Sequence, residues 1–128
     1  MPTTAMMNIA RKVSRGDVVL LPIAFVSGQG SKVRPAVVVQ CDALNARLNS
    51  TIVAIITSVT SRSSVEPSQL FIDIATPDGK STGLIHDSTV KAEHLDTVDQ
   101  RDVMRIIGKF SPSLMQRVEA CIHASLGL

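Results

Sequence analysis

The segment at residues 30–40, GSKVRPAVVVQ, constrains the fold of this chain most. It joins a Gly- and Ser-rich stretch to an unbroken apolar run at residues 36–39, and so predicts a surface loop that leads into a buried strand. Pro35 is tolerated at the first residue of a strand and biases Arg34 toward extended geometry. The segment therefore predicts that the Arg34 guanidinium stands at a fixed place on the rim of the core.

An arginine held in this way is preorganised to bind an anion with two hydrogen bonds, which suits phosphate. The alternative is an ion pair with a carboxylate at the end of the strand. The distribution of charge favours the anion, because residues 1–65 contain seven Lys and Arg against two acidic residues, whereas residues 66–128 contain six against nine. Arg34 thus lies in the basic half of the chain.

Composition excludes several other classes of protein. A chain of 128 residues forms about one domain, and its 19% charged and 45% apolar residues are typical of a globular protein. Cys41 and Cys121 have no Cys or His at ligand spacing, so we expect no metal site and reduced thiols in a cytoplasmic protein. The basic N-terminal region followed by VVLLPIAFV resembles a secretory leader, but Asp17 and Pro22 interrupt the pattern. No apolar segment is long enough to span a bilayer.

The pattern along the chain predicts the α+β class, with a small, mostly antiparallel sheet followed by a helix. Residues 1–14 are expected to form a flexible N-terminal arm, and residues 15–128 a single domain. Strands are predicted at residues 18–25, where Pro22 requires an edge or a bulge, and at residues 35–40, 51–57 and 70–74. Shorter extended pieces are predicted at residues 84–85 and 89–91.

The remaining segments predict connections and one clear helix. Residues 26–33 and 58–69 are expected to be surface loops, residues 42–46 a short helical turn, and residues 77–79 a turn. At the C-terminal end, Ser111 suits a helix N-cap and Pro112 the first helical position. Apolar residues then recur every four positions until Gly127, which predicts a helix that packs on the sheet or on another subunit.

The spacing of two predicted strands connects Arg34 with a second residue. About ten residues join the strands at 35–40 and 51–57, which is fewer than a parallel crossover usually needs, so we expect antiparallel neighbours. The end of the later strand then lies beside the start of the earlier one. This brings Thr57, or Ser58 on the opposite face, next to Arg34, and a guanidinium with a hydroxyl at one sheet edge predicts a phosphate site.

Short motifs follow one another in a fixed order from residue 15 to residue 128. They are Gly16-Asp17, G-S-x-x-R-P-A-V-V-V at residues 30–39, the apolar strand ending in Ile56-Thr57-Ser58, and then Gly83, Leu84, Asp87, Ser88, Val90, Leu95, Thr97, Asp99, Arg101, Ile107, Gly108 and the closing residues 125–128. In this order and spacing they resemble the MazF/PemK toxins.

The resemblance implies an SH3-like small antiparallel β-barrel with a C-terminal helix, the MazF/PemK/CcdB-like fold. It also implies a homodimer, a cognate acidic antitoxin, and an endoribonuclease that needs neither metal nor cofactor. Such an enzyme cleaves single-stranded RNA through attack of the RNA 2′-hydroxyl. The family's catalytic arginine falls on Arg34 and its catalytic threonine or serine on Thr57, with Ser58 and Glu93 as candidates for support.

Contacts to RNA are expected from Phe25, Ser31, Lys32, Arg62 and Lys91. Some family members have an Arg-x-Asp pair where this chain has Lys-Ala-Glu at residues 91–93, so Glu93 is either a proton acceptor or a surface carboxylate. His86 and His94 match no family motif and are expected to be solvated loop residues. The chain has only three aromatic residues, all Phe, although proteins that read single-stranded RNA commonly stack bases on aromatic rings.

Two other classes of function remain open. Inhibitors of DNA gyrase share this architecture, and they resemble one another at a C-terminal aromatic tail; this chain ends in Leu-Gly-Leu and has no Trp. A family member without catalytic activity would act as a protein-binding module, and only an assay separates such a module from an enzyme.

Overall fold

The computed structural model describes residues 12–59 and 66–128. Within these ranges six strands form one antiparallel sheet with the strand order β4-β5-β3-β2-β1-β6. The strands are β1 (Asp17–Ala24), β2 (Ser31–Val38), β3 (Ser50–Ser58), β4 (Gln69–Ile72), β5 (Ser88–Asp99) and β6 (Arg105–Lys109). The helices are α1 (Asp42–Arg47), α2 (Pro77–Ser81) and α3 (Pro112–Leu126), and a 3₁₀ turn covers Gln100–Asp102.

The sheet curls and separates two apolar cores. On one face, called the helix face below, Val37, Ala54 and Ile56 pack with Leu114 and Val118 of α3. The opposite face, called the far face, carries the second core of buried aliphatic residues: Val13, Val19, Leu21, Ile23, Ala36, Val38, Val53, Ile55 and Val103. The two sets follow from the period of two along each strand. The predicted α+β fold, a small antiparallel barrel with a C-terminal helix, is confirmed.

The C-terminal helix is also confirmed with the predicted ends. The Ser111 hydroxyl accepts a hydrogen bond from the backbone N–H of Leu114 at 3.1 Å, and Pro112 occupies the first turn, where its missing N–H costs nothing. Gly127 ends the helix with φ of 71°, a left-handed conformation that glycine adopts without strain. This helix covers the β4 and β5 part of the helix face.

Pro22 is accommodated as the sequence predicts. β1 pairs with β6 only from Asp17 to Leu20, so Pro22 has a neighbour on one side only, in β2. A register shift also lies in β1, between Val18 and Val19. The missing N–H of Pro22 therefore leaves no carbonyl of β6 without its partner.

Strand β2 begins earlier than predicted. The pairing of β1 with β2 continues from Leu21↔Arg34 to Ala24↔Ser31, so the turn contains only residues 25–30. Arg34 is thus not a loop residue in front of the strand but part of the strand itself. The prediction of a strand start at Pro35 is wrong because the hairpin partner holds the segment extended on both sides of the proline.

Several shorter predictions also need correction. Residues 77–79 are not a turn but part of α2, because the Thr76 hydroxyl caps the N–H of Gly79 at 3.0 Å and Pro77 suits a first helical turn. Residues 84–85 form no strand, and β4 ends at Ile72 rather than at residue 74. Val13 is buried and its N–H donates to Gln100 Oε1 at 3.0 Å, so the predicted arm does not include it.

Candidate functional site

Arg34 and Thr57 lie on β2 and β3, each two residues beyond the last pair of the two strands. The two strands are antiparallel, as predicted, and pair Ala36 with Ile55. Continuing this register by two residues places Arg34 opposite Thr57. Both residues are half-buried, and both line one cavity of about 540 Å³. The structure therefore brings together the two residues that the sequence analysis selects.

The end of β3 exposes both faces of the sheet to one ligand. Arg34 pairs with Leu21, which belongs to the far-face core, so the side chain of Arg34 leaves the sheet on the far face. Thr57 lies two residues after Ile55 and shares that face. Ser58, the last residue of β3, lies on the helix face. A ligand that crosses the end of β3 can therefore contact the far face and the helix face together.

Three cations around the cavity have no partner among residues 12–59 and 66–128. No ion pair or side-chain hydrogen bond within these ranges involves Lys32, Arg34 or Arg105, although all three line the cavity. By contrast, Arg15 and Lys109 each pair with a carboxylate. The structural alternative for Arg34, an ion pair at the strand end, is thus absent from the described part of the chain, and the charge is available to an anionic ligand.

The lining of the cavity is mostly aliphatic, with a polar and cationic rim. Four polar residues, Thr57, Ser58, His86 and Ser88, join the three cations, and no Asp or Glu is among the lining residues. The Ser88 hydroxyl donates to the backbone carbonyl of His86 at 2.7 Å and so holds this rim in place. The apolar part consists of Leu20, Val33, Pro35, Ile56, Leu84, Ile85 and Ile107. Such a cavity suits a ligand with apolar faces, polar edges and negative charge.

One wall of the cavity, residues 83–86, is fixed by a close crossing of two backbone segments. Gly83 has φ of 74°, and a Cβ at this position would overlap the carbonyl of Ile107 in β6. A Cβ at Gly108 would in turn overlap the backbone of Thr82. The Thr82 hydroxyl donates to the carbonyl of Gly79 at 2.6 Å, which ties the crossing to α2. Glycine at both positions thus allows α2 to set the wall against β6.

Glu93 lies away from the other predicted catalytic residues. It lies within the register shift of β5, between Lys91 and Leu95, and four residues beyond the position that pairs with Thr57, which is roughly 13 Å along an extended strand. Its carboxylate accepts hydrogen bonds from Ser68 at 2.9 Å and Gln69 at 2.7 Å. Partial burial raises the pKa of Glu93. The hydrogen bonds from Gln69, its own backbone and Ser68 lower it, as does the charge of Lys91. Together they outweigh burial and hold the pKa of Glu93 below its ordinary value.

The predicted RNA contacts fall on and around the β1–β2 hairpin, with one exception. Ser31 and Lys32 begin β2 and are exposed. Phe25 follows β1 directly, and 38% of its surface is exposed. Lys91 lies on β5, two residues from the partner of Thr57. Arg62 lies outside the residues that the structure describes.

Two residues at the cavity were not predicted as site residues. His86, expected to be a solvated loop residue, is exposed but lines the cavity. Arg105 was missed because β6 was not predicted; only the short apolar pair in RIIGK indicated a strand there. β6 brings Arg105 opposite Leu20 of β1, at the side of the cavity.

The motif around Asp99 and Arg101 stabilises the fold at a distance from the cavity. Asp99 accepts hydrogen bonds from the backbone and the side chain of Arg101, and these bonds lower the pKa of Asp99 to about 2. The intervening Gln100 is fully buried and donates to the carbonyls of Asn45 and Leu48. The motif thus links the end of β5 to α1 and to the residue that follows it.

Residues 12–59 and 66–128 contain neither a cluster of metal ligands nor a membrane-spanning helix. Within the described ranges, no three or more His, Cys, Asp or Glu side chains form a group that could hold a metal ion. No helix in those ranges is long and apolar enough to cross a membrane. Cys41 is exposed, Cys121 is buried, and both are free thiols.

Comparison with known proteins places this chain in one family. Residues 14–126 match the family of the PemK-like, MazF-like toxin of type II toxin-antitoxin systems. Endoribonuclease MazF2 of Mycobacterium bovis and Endoribonuclease MazF6 of Mycobacterium tuberculosis are each 32% identical over 118 residues, which cover 91% of this chain and 98% of the relative.

Solved structures share the architecture at lower identity. An endoribonuclease from a mycobacterial species, in complex with its cognate antitoxin, matches with a TM-score of 0.73 and 17% identity over 91% of this chain and 96% of that chain. MazF from Deinococcus radiodurans matches with a TM-score of 0.67 and 20% identity over 92% and 99%. Because the family match covers most of its length and the relatives are 32% identical to it, the chain belongs to the PemK-like, MazF-like toxins of type II toxin-antitoxin systems.

Proposed function

We propose that this protein is a toxin that acts in the cytoplasm as an endoribonuclease on single-stranded RNA. The observation that carries the proposal is the placement of Arg34, which has no partner among the described residues, opposite the hydroxyl-bearing Thr57 on the same face of the sheet. Two relatives that are 32% identical to this chain are named endoribonucleases, and this supports the same activity.

The reaction that fits this pair is an internal transesterification. The 2′-hydroxyl of the RNA attacks the adjacent phosphorus, the bond from phosphorus to the 5′-oxygen breaks, and the products carry a 2′,3′-cyclic phosphate and a 5′-hydroxyl. Arg34 donates two hydrogen bonds to the non-bridging oxygens and stabilises the charge of the pentacoordinate transition state. Because the nucleophile belongs to the substrate, the reaction does not need a metal to generate hydroxide.

The other predicted residues take supporting roles in this proposal. The Thr57 hydroxyl orients the phosphate, and Ser58 contacts the strand where it crosses to the helix face. Glu93, whose carboxylate is bound by Ser68 and Gln69, takes no part in proton transfer at Arg34. The 2′-hydroxyl loses one proton and the leaving 5′-oxygen gains one, so the step is neutral overall and solvent can carry both protons.

Residues beside the pair guide the RNA strand. Lys32 and Lys91 flank the Arg34–Thr57 position on the two neighbouring strands and supply charge for adjacent phosphates. Ser31 and Phe25 extend this surface along the hairpin, where the Phe25 ring can stack on one base. Arg62 would add a cation from the segment that follows β3.

Cleavage of a long RNA in the presence of EDTA tests the proposed activity. We expect the purified protein to cut single-stranded RNA at a small set of sequences and to leave the same RNA intact when it is annealed to its complement. Mapping of the cut ends should show 2′,3′-cyclic phosphates and 5′-hydroxyls. A requirement for added divalent metal, or ends with a 3′-hydroxyl and a 5′-phosphate, would contradict the mechanism. RNA that stays intact under all conditions would favour an inactive, protein-binding member of the family.

A further inference from the structure

We propose that Thr89 is a positioning residue for the cleavage of RNA. Its buried hydroxyl donates a hydrogen bond to the hydroxyl of Thr57 when RNA is bound, and so directs the proton of Thr57 toward the phosphate held by Arg34. The proposal rests on the function proposed above and adds to it a residue that the RNA itself does not touch.

Thr89 differs from the other buried polar residues because its hydroxyl has no partner. Eight polar or charged residues are buried in the described part of the chain. Seven of them form side-chain hydrogen bonds: Asp17, Gln40, Asn45, Thr51, Thr82, Ser88 and Gln100. Thr89 is 4% exposed, and its hydroxyl forms no hydrogen bond within residues 12–59 and 66–128. A buried hydroxyl without a partner destabilises a folded protein, so its presence calls for a functional reason.

The sheet places Thr89 directly beside Thr57. β3 and β5 pair Thr57 with Thr89, and two residues further on the backbone N–H of Val59 donates to the carbonyl of Asp87 at 3.0 Å. Paired residues of antiparallel strands point to the same face of the sheet, with Cβ atoms roughly 5 Å apart. Because β3 lies between β2 and β5, Thr57 has Arg34 on one side and Thr89 on the other, all on the far face.

The burial of Thr89 separates it from the substrate. Phe71 of β4 pairs with Thr89 on the side away from Thr57, and almost none of Thr89 is exposed. Thr57, by contrast, is half-buried and lines the cavity together with Arg34. A phosphate of the RNA therefore reaches Thr57 but not Thr89, so Thr89 acts through its neighbour.

The two hydroxyls are suited to act in series. A threonine hydroxyl donates one hydrogen bond and has two lone pairs that accept. When Thr57 donates its proton to a phosphate oxygen, its lone pairs remain available to the proton of Thr89, and threonines that lie opposite each other on neighbouring strands form such bonds. Each bond in a chain of this kind strengthens the other. The Thr89 hydroxyl thus gains in the RNA complex a partner that the described residues do not give it in the free protein.

Thr89→Val removes the hydroxyl and nearly keeps the shape of the side chain. Because the hydroxyl is buried without a partner in the free protein, we expect the urea midpoint of unfolding to stay at the wild-type value or to rise. Single-turnover cleavage of the mapped RNA in EDTA should fall about tenfold, which corresponds to the loss of one hydrogen bond between neutral groups. Thr89→Ser, which keeps the hydroxyl, should cleave at nearly the wild-type rate.

Thr51→Val is the matched control. Thr51 is also buried, but its hydroxyl donates to Oδ1 of Asn45 at 2.7 Å. It lies near the other end of β3, roughly 20 Å from Thr57 along the strand. We expect the urea midpoint of this variant to fall by about 0.5–1 M, because a satisfied hydrogen bond is lost, while cleavage stays near wild type. Opposite effects on stability and rate in the two variants would not arise if Thr89 were merely structural.

A double-mutant cycle tests whether Thr89 acts through Thr57. In a protein that already carries Thr57→Val, the further change Thr89→Val should not reduce the cleavage rate again, because the hydroxyl that Thr89 orients is gone. Thr51→Val should leave the rate unchanged in the same background.

Separate outcomes distinguish the role of Thr89 from the proposed activity. If Thr89→Val lowers the urea midpoint as Thr51→Val does, the Thr89 hydroxyl is already satisfied in the free protein and the proposal is wrong. It is also wrong if Thr89→Val cuts at the wild-type rate, or if its loss of rate adds to that of Thr57→Val. In each of these cases the wild-type protein still cuts RNA and the proposed function stands. A wild-type protein that does not cut RNA overturns the proposed function, and the role of Thr89 with it.

Discussion

Thr57 and Arg34 contribute different chemistry to one position on the sheet. The guanidinium of Arg34 supplies charge and two parallel donors, whereas the hydroxyl of Thr57 supplies a single donor and acceptor held by a β-branched side chain with few rotamers. Neither side chain makes an ion pair or hydrogen bond to another described residue. Substitution of either residue should therefore change activity more than stability.

Thr57→Val tests the hydroxyl without changing the shape of the side chain. We expect single-turnover cleavage to fall by on the order of a hundredfold, because a preorganised hydrogen bond to the transition state is lost. Thr57→Ser, which keeps the hydroxyl, should retain much of the rate. Unfolding in urea should show changes of less than about 1 kcal/mol in both variants. Equal rates for wild type and Thr57→Val would move the role to Ser58.

At the scale of single residues, the sequence predicted the pair at the site but missed the lining of the cavity. Arg34 and Thr57 could be paired because both flank apolar strands whose short connection enforces antiparallel order. His86 and Arg105 could not, because their approach depends on the fold of distant segments. Arg105 reaches the cavity through the pairing of β6 with β1, whose residues lie far away in sequence.

Among the elements, the connection from α2 to β5 determines the shape of the cavity. This connection passes over β6 at Gly83, where both the positive φ and the contact with the Ile107 carbonyl require glycine. Residues 83–86 then form the wall of the cavity. One crossing of the backbone thus contributes to stability and also sets the shape of the cavity.

Gly83→Ala should destabilise the protein by about 2–4 kcal/mol, because backbone strain and a steric overlap act together. Gly28→Ala is the matched control: it has a similar φ of 81°, but a Cβ there would meet no atom within 4 Å. We expect the control to lose only about 1 kcal/mol. The free energies of unfolding, measured in urea, decide the comparison. Equal losses in the two variants would show that the contact with β6 is unimportant.

The elements differ in how well local sequence predicts them. β3 and α3 were predicted because a continuous apolar run and a four-residue period are strong local signals. β5 was predicted only in part, because its twelve residues include charges and a register shift that break the alternation. For α2 the sequence predicts a turn, since Pro-Asp-Gly suits both structures and the cap by Thr76 decides between them.

On the scale of the whole molecule, exposed apolar residues predict self-association. The chain has a mean hydropathy of +0.25, and Met104, Leu126 and Leu128 are each more than half exposed. We expect a homodimer with a twofold, isologous contact, because such surfaces are normally covered in oligomers. Sedimentation equilibrium at micromolar concentration measures the state directly. A monomer under these conditions would contradict the prediction.

The uneven charge of the molecule predicts its inhibitor. An acidic, partly disordered segment of a cognate antitoxin should cover Arg34 and Thr57 and compete with RNA, since it offers carboxylates to the same unpaired cations. Arg34→Glu should weaken this complex, and added salt should weaken the wild-type complex by screening. Competition between the antitoxin and an RNA that carries 2′-deoxyribose at the cut nucleotide, and so binds without being cut, measures whether the two binding sites overlap. An antitoxin that binds while RNA remains bound would refute the shared site.

The most direct test of the account is the rate at which Arg34→Ala cleaves the mapped RNA sequence, compared with Arg47→Ala. Both variants lose one arginine, but Arg47 lies on α1, beyond the opposite end of β3 from Thr57. We predict that single-turnover cleavage falls about a hundredfold to a thousandfold in Arg34→Ala and stays near wild type in Arg47→Ala. Both should retain the wild-type circular dichroism spectrum. A folded Arg34→Ala variant that cuts RNA at the wild-type rate would contradict the account.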